Sequence, residues 1–159
     1  MKKVFVSICV AGVALAMSSC RSVEKAFPLS SINGEWNIIE INGSKVVPDE
    51  SKNLPFIVFD TTTGRVSGNS GCNRMMGSFD VNAKSGSIDL KGMASTRMMC
   101  PDMTTENNVL NALGQVTAYK RAGKNKMYLC NASHRPVMIL EKKVSDVKLS
   151  VLSGEWKIK

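Results

Sequence analysis

Apolar and polar positions alternate first around residues 34–47. Trp36, Ile38, Ile39 and Ile41 form an apolar set, with Glu35, Asn37 and Lys45 outside it. The run ends in Asn42-Gly43, a strong two-residue hairpin signal, so residues 45–47 are expected to pair back. Pro55 then sets off residues 56–59, a short continuous apolar run expected as a buried strand. Thr63-Gly64 turns the chain, and Arg65, Ser67 and Asn69 alternate with Val66 into a glycine-rich turn. Residues 78–81 and 87–90 are two further short alternating runs, joined by a loop rich in Gly, Asn and Ser.

The period changes after Cys100. Pro101 pre-sets a helix entry that Asp102 or Thr104 can cap. Val109, Leu110, Leu113 and Val116 recur at spacings of three and four, one apolar stripe on one helix. Residues 121–126 read as a basic turn around Gly123, and residues 127–130 and 137–140 as a closing hairpin. Short strands at close spacing with one late helix predict a mainly β (α+β) fold: an antiparallel barrel-like or sandwich sheet with one helix after Cys100.

The two ends of the chain do not fit this pattern. Lys2 and Lys3 precede an apolar run, residues 4–17, too short to span a membrane as a helix. Small residues Ser18 and Ser19 then precede Cys20. This resembles a bacterial lipoprotein signal (residues 1–19), with cleavage leaving Cys20 as the lipidated N-terminus and membrane anchor. Residues 20–30 read as a tether, and residues 31–143 as one domain. Arg21, not aspartate, follows the cysteine; by resemblance to enterobacterial sorting this favours the outer membrane. At the other end, Ser31-Ile32-Asn33-Gly34-Glu35-Trp36 is echoed by Val151-Leu152-Ser153-Gly154-Glu155-Trp156 after a polar linker. Residues 144–159 are therefore expected to be a linker and the first strand of a second repeat or domain.

Charge and cysteine content narrow the function classes. The formal charge of +8 becomes +6 once the two signal lysines are removed. Lys120, Arg121, Lys124 and Lys126 cluster near one turn, either as a solvated loop or as a contact for anionic lipid head groups. An exported chain without stacking aromatics among its charges argues against nucleic acid. Beyond the signal and Cys20 lie Cys72, Cys100 and Cys130, an odd set that allows one pair and one free thiol or an intermolecular bridge. A zinc set of these three with His134 lacks any close cysteine pair. Methionines 75, 76, 93, 98, 99 and 103 could suggest copper(I), but neighbours on a strand face opposite sides. The sequence carries neither a nucleophile elbow nor a phosphate-binding loop, and implies no cofactor and no catalytic residue.

Gly71-Cys72-Asn73-Arg74 and Thr96-Arg97-Met98-Met99-Cys100, with Gly34-Glu35-Trp36 before them and the apolar residues 137–140 after them, resemble the signature of the META domain family, the HslJ-like envelope proteins. The resemblance covers roughly residues 31–142. It implies a small, mostly β domain, a disulfide between Cys72 and Cys100, and no established catalytic residues. Such a bridge would contribute about 3.5 kcal/mol in the chain-entropy account. Cys130 is then expected to be a small buried hydrophobe. The family is loosely linked to heat-shock response, novobiocin resistance, secretion and motility. The expected function is a non-catalytic envelope lipoprotein with a protein-interaction or envelope-stress role. The alternative is a small-ligand or lipid carrier that uses the interior of a barrel-like sheet.

Overall fold

The computed structural model describes residues 27–48 and 54–143. The expected signal peptide, Cys20, most of the tether and the echoed segment 144–159 lie outside these residues. A 3-10 turn, Leu29–Ile32, leads into β1 (Gly34–Ile41), β2 (Ser44–Lys45), β3 (Phe56–Asp60), β4 (Arg65–Asn69), β5 (Arg74–Ser78) and β6 (Ala94–Ser95). One helix, α1 (Thr104–Leu113), follows, and then β7 (Ala118–Arg121), β8 (Lys126–Cys130) and β9 (Pro136–Lys142). The strands form one antiparallel sheet in the order β6-β5-β4-β3-β1-β9-β8-β7, with β2 hairpinned onto β1. Among the described residues the fold is thus mainly β with one helix, as the hydrophobic pattern predicts, and the sheet does not close by strand pairing.

β1 is the centre, with β3 on one side and β9 on the other. Trp36, Ile38 and Ile41 are buried, a spacing that breaks strict alternation. A bulge between Ile38 and Glu40 in the β1–β9 ladder absorbs the extra residue. Asn42 and Gly43 both take positive φ, 49° and 82°, as the tight hairpin to β2 requires. The inward side chains meet in one cluster that includes Ile57, Phe59, Val66, Met75, Met127, Leu129 and Leu140. Val109, Ala112 and Leu113 of α1 join that cluster, as does Val116 beyond the helix end.

Three local expectations are corrected. Residues 78–81 and 87–90 do not form strands of their own; Ser78 is the last residue of a pairing strand that starts earlier, at Arg74. Asp80 and Asp89 side chains accept the Asn82 and Lys91 N–H groups at 2.8 and 2.9 Å, and these local turns end the extended run. Phe79, Ile88 and Leu90 stay buried, but as anchors of a loop. That loop lies along the β7 edge: Tyr119 N–H donates to the Gly86 carbonyl at 2.9 Å and Ile88 N–H to Thr117 at 3.1 Å. The basic turn expected over residues 121–126 is shorter: Arg121 ends β7 (Ala118–Arg121) and Lys126 begins β8. The helix cap position is Met103, with no side-chain cap; Asp102 instead accepts the Thr104 N–H at 2.8 Å just before the helix.

Candidate functional site

The turn between β4 and β5 and the segment between β6 and α1 meet at one side chain, Asn73. Gly71 has φ of +129°, a conformation for which glycine carries no steric penalty, and its N–H donates to Asn69 Oδ1 at 2.8 Å. The Ser70 N–H and hydroxyl both donate to the Asn73 carbonyl. The tightened turn directs Asn73 inward, where it is 1% exposed. Its Oδ1 accepts the Thr96 hydroxyl and the Met98 N–H, each at 2.7 Å. Its Nδ2 donates to the Met98 carbonyl at 2.9 Å and to the Glu106 carboxylate at 2.9 and 3.0 Å. The Asn73 N–H also reaches Glu106 Oε2, at 2.9 Å. Only this orientation of the amide places an acceptor on the Met98 N–H and a donor on the carboxylate.

Glu106 projects from the first turn of α1 and is buried. It lies three residues before Val109, on the apolar stripe itself. A carboxylate on that stripe is the signal that sequence reasoning passed over. Two donors from Asn73 offset its desolvation, and charge-assisted bonds of this kind are stronger than neutral ones.

Covalent geometry supports the same junction. Cys72 and Cys100 are bridged, their Cα atoms 6.1 Å apart across a sequence separation of 28. Residues 96–100 are therefore held at Thr96, at both backbone groups of Met98 and at Cys100. Between these fixed points Met98 is 59% and Met99 91% exposed. Arg74 and Arg97, also exposed, flank them in sequence and across the ladder, where the Thr96 N–H donates to the Arg74 carbonyl at 3.0 Å. The result is a rigid tip carrying two apolar side chains beside two cations.

The other candidates separate. Cys130 is wholly buried with a free thiol, and desolvation pushes its pKa up from the ordinary value while nearby Lys120 opposes this. His134 sits exposed in a turn with φ of +58°. Met75 is buried and Met76 is exposed, on opposite faces of β5. The basic cluster divides: Lys126 pairs with Glu141 at 3.8 Å, whereas Arg121 lies over the Phe27 ring at 5.8 Å. Among the described residues no group of three or more His, Cys, Asp or Glu is placed to hold a metal ion. No helix among them is long and apolar enough to cross a membrane.

A profile of the META domain matches residues 28–144, which takes in the whole junction. The chain belongs to the META domain family. Two solution structures share the fold of this META domain. One protein is 24% identical with a TM-score of 0.55, covering 74% of this chain and 95% of its own. The other, from Burkholderia xenovorans, is 23% identical with a TM-score of 0.56, covering 91% of this chain and 99% of its own. No curated protein matches the chain. In this META domain the two sequence motifs are the two halves of one clamp, and every polar group of the Asn73 side chain is engaged inside it.

Proposed function

We propose that this META domain is a non-catalytic envelope module, tethered through a lipidated Cys20, that binds a protein partner through the Met98-Met99 tip. The carrying observation is that Asn73 pins both backbone groups of Met98 while Met98 and Met99 remain exposed. A backbone already fixed at Met98 has little main-chain entropy left to lose on binding, which is how a small contact becomes useful. Methionine adapts to varied apolar pockets. With Arg74 and Arg97 alongside, the fitting partner is a protein surface with an apolar recess rimmed by carboxylates. The carrier alternative is less well supported, because Ile38, Ile57, Met127, Leu129 and Leu140 fill the inner face of the sheet with no measurable exposure.

Site-specific photo-crosslinking in cells tests the tip. A photoreactive residue at position 99 should give a discrete protein adduct, and one at exposed Val47 should not. Arg97→Glu should weaken the adduct. No adduct at position 99, or the same adducts from both positions, contradicts the reading. The anchor is tested separately by intact mass of membrane-extracted protein. An acylated chain beginning at Cys20 is expected, and a soluble form beginning elsewhere would refute the anchor.

A further inference from the structure

A groove of about 450 Å³ lies along the β7 edge, on residues the tip does not use. Its walls include Phe27, Lys84, Gly86, Tyr119, Lys120 and Arg121. No carboxylate lines it, and among the described residues no acid forms an ion pair with Lys84, Lys120 or Arg121. The cations come from two separate segments: the loop after β5 supplies Lys84, and β7 supplies Lys120 and Arg121. Backbone bonds between Gly86 and Tyr119 and between Ile88 and Thr117 lock those segments together. Arg121 is held in place, its Nε donating to the Gly123 carbonyl at 2.9 Å and its guanidinium stacked over Phe27. Phe27 in turn meets Tyr119 edge to face, with ring centroids 6.1 Å apart. The Tyr119 side chain is itself buried, its hydroxyl without a hydrogen-bond partner among the described residues.

We infer that this groove binds an anionic phosphate group, and that its source is the head group of a phospholipid in the anchoring membrane. Lys84 and Arg121 line the groove and Lys120, the outward residue of β7, adds charge at its rim, none of them ion-paired among the described residues. They supply the phosphate chemistry, and Arg121 is held in place for it by its bond to Gly123 and by the Phe27 ring. Phe27 offers an apolar wall beside the charge, which suits a lipid better than a free ion. The choice of a head group rests on the tether reading. Phe27 is only seven residues beyond Cys20, so the groove entrance stays within about 25 Å of the acyl anchor even with the tether fully extended.

The test is an NMR titration of the full chain carrying Cys20→Ser, so that no acyl chain contributes. The probes are monomeric dihexanoyl phosphatidylglycerol, dihexanoyl phosphatidylcholine and inorganic phosphate. Saturable shifts of the Gly86, Ser87 and Tyr119 amides are expected with the glycerol lipid, and much weaker ones with the other two probes. Lys120→Glu with Arg121→Glu should weaken binding by about tenfold or more and leave the Met98 amide resonance in place. Equal response to inorganic phosphate overturns the head-group assignment. Absence of shifts at these amides with any probe overturns the site. Because the variant cannot be acylated, either result is independent of whether Cys20 carries lipid.

Discussion

Asn73 uses all of its side-chain hydrogen-bonding capacity inside one junction: two bonds accepted and both amide protons donated. Truncating it leaves the Glu106 carboxylate buried with, among the described residues, only the backbone N–H of residue 73 as donor. It also leaves both polar groups of Met98 to find water. Asn73→Ala is therefore expected to cost about 3 kcal/mol, mostly the penalty of stranding a buried charged group. For a domain of this size that lowers the melting temperature by roughly 10 °C. Thermal unfolding by circular dichroism measures it, and a loss under about 1 kcal/mol would mean that the network is incidental. Little of this was legible from residue types alone. Gly71-Cys72-Asn73-Arg74 marked the place, but an asparagine in a glycine turn reads first as a turn former. Its partner Glu106 lies 33 positions away, and only its position on the apolar stripe betrays it.

At the scale of elements, legibility followed the hydrophobic period. β1, β3, β8 and β9 carry clear apolar runs, and the Asn42-Gly43 turn carries its own backbone signal. β5 begins Arg74-Met75-Met76-Gly77, where exposed Met76 looks as apolar as buried Met75, so no alternation can be read. β6 is two residues long, and β7 has its last two positions charged, as suits an edge strand. Residues 87–90 alternate because Ile88 and Leu90 anchor a covering loop, a cause that pattern alone cannot separate from strand pairing. One glycine tests the register of β3, β4 and β5 directly. Gly68 pairs with Ile57 on one side and Met75 on the other. A Cβ there would run into the Phe56 carbonyl, which is backbone in a ladder and cannot swing aside. Gly68→Ala is expected to destabilise by about 2–3 kcal/mol despite the better intrinsic propensity of alanine, through overpacking. A neutral or stabilising result in a urea titration would contradict the β3–β4 approach described here.

At the scale of the molecule, the described residues form an open antiparallel sheet whose inner face is filled and whose chemistry lies at its margins. At the β5–β6 margin the Asn73 clamp and the Cys72–Cys100 bridge fasten the sheet to α1 and hold the Met98-Met99 tip outward. At the β7 margin the Gly86–Ile88 loop covers the edge and brings Lys84 to Lys120 and Arg121. The proposals thus share one physical premise: a surface loop made rigid by interior hydrogen bonds while its side chains face solvent. Amide hydrogen exchange resolved at Met98 and Met99 tests that premise most directly. The Met98 N–H is bonded to Asn73 Oδ1, whereas the Met99 N–H makes no hydrogen bond among the described residues. The Met98 amide should therefore exchange at least about 100-fold more slowly than the unfolded-chain rate, with its neighbour Met99 close to that rate. Equal, unprotected exchange at both positions would show a mobile tip and contradict the clamp.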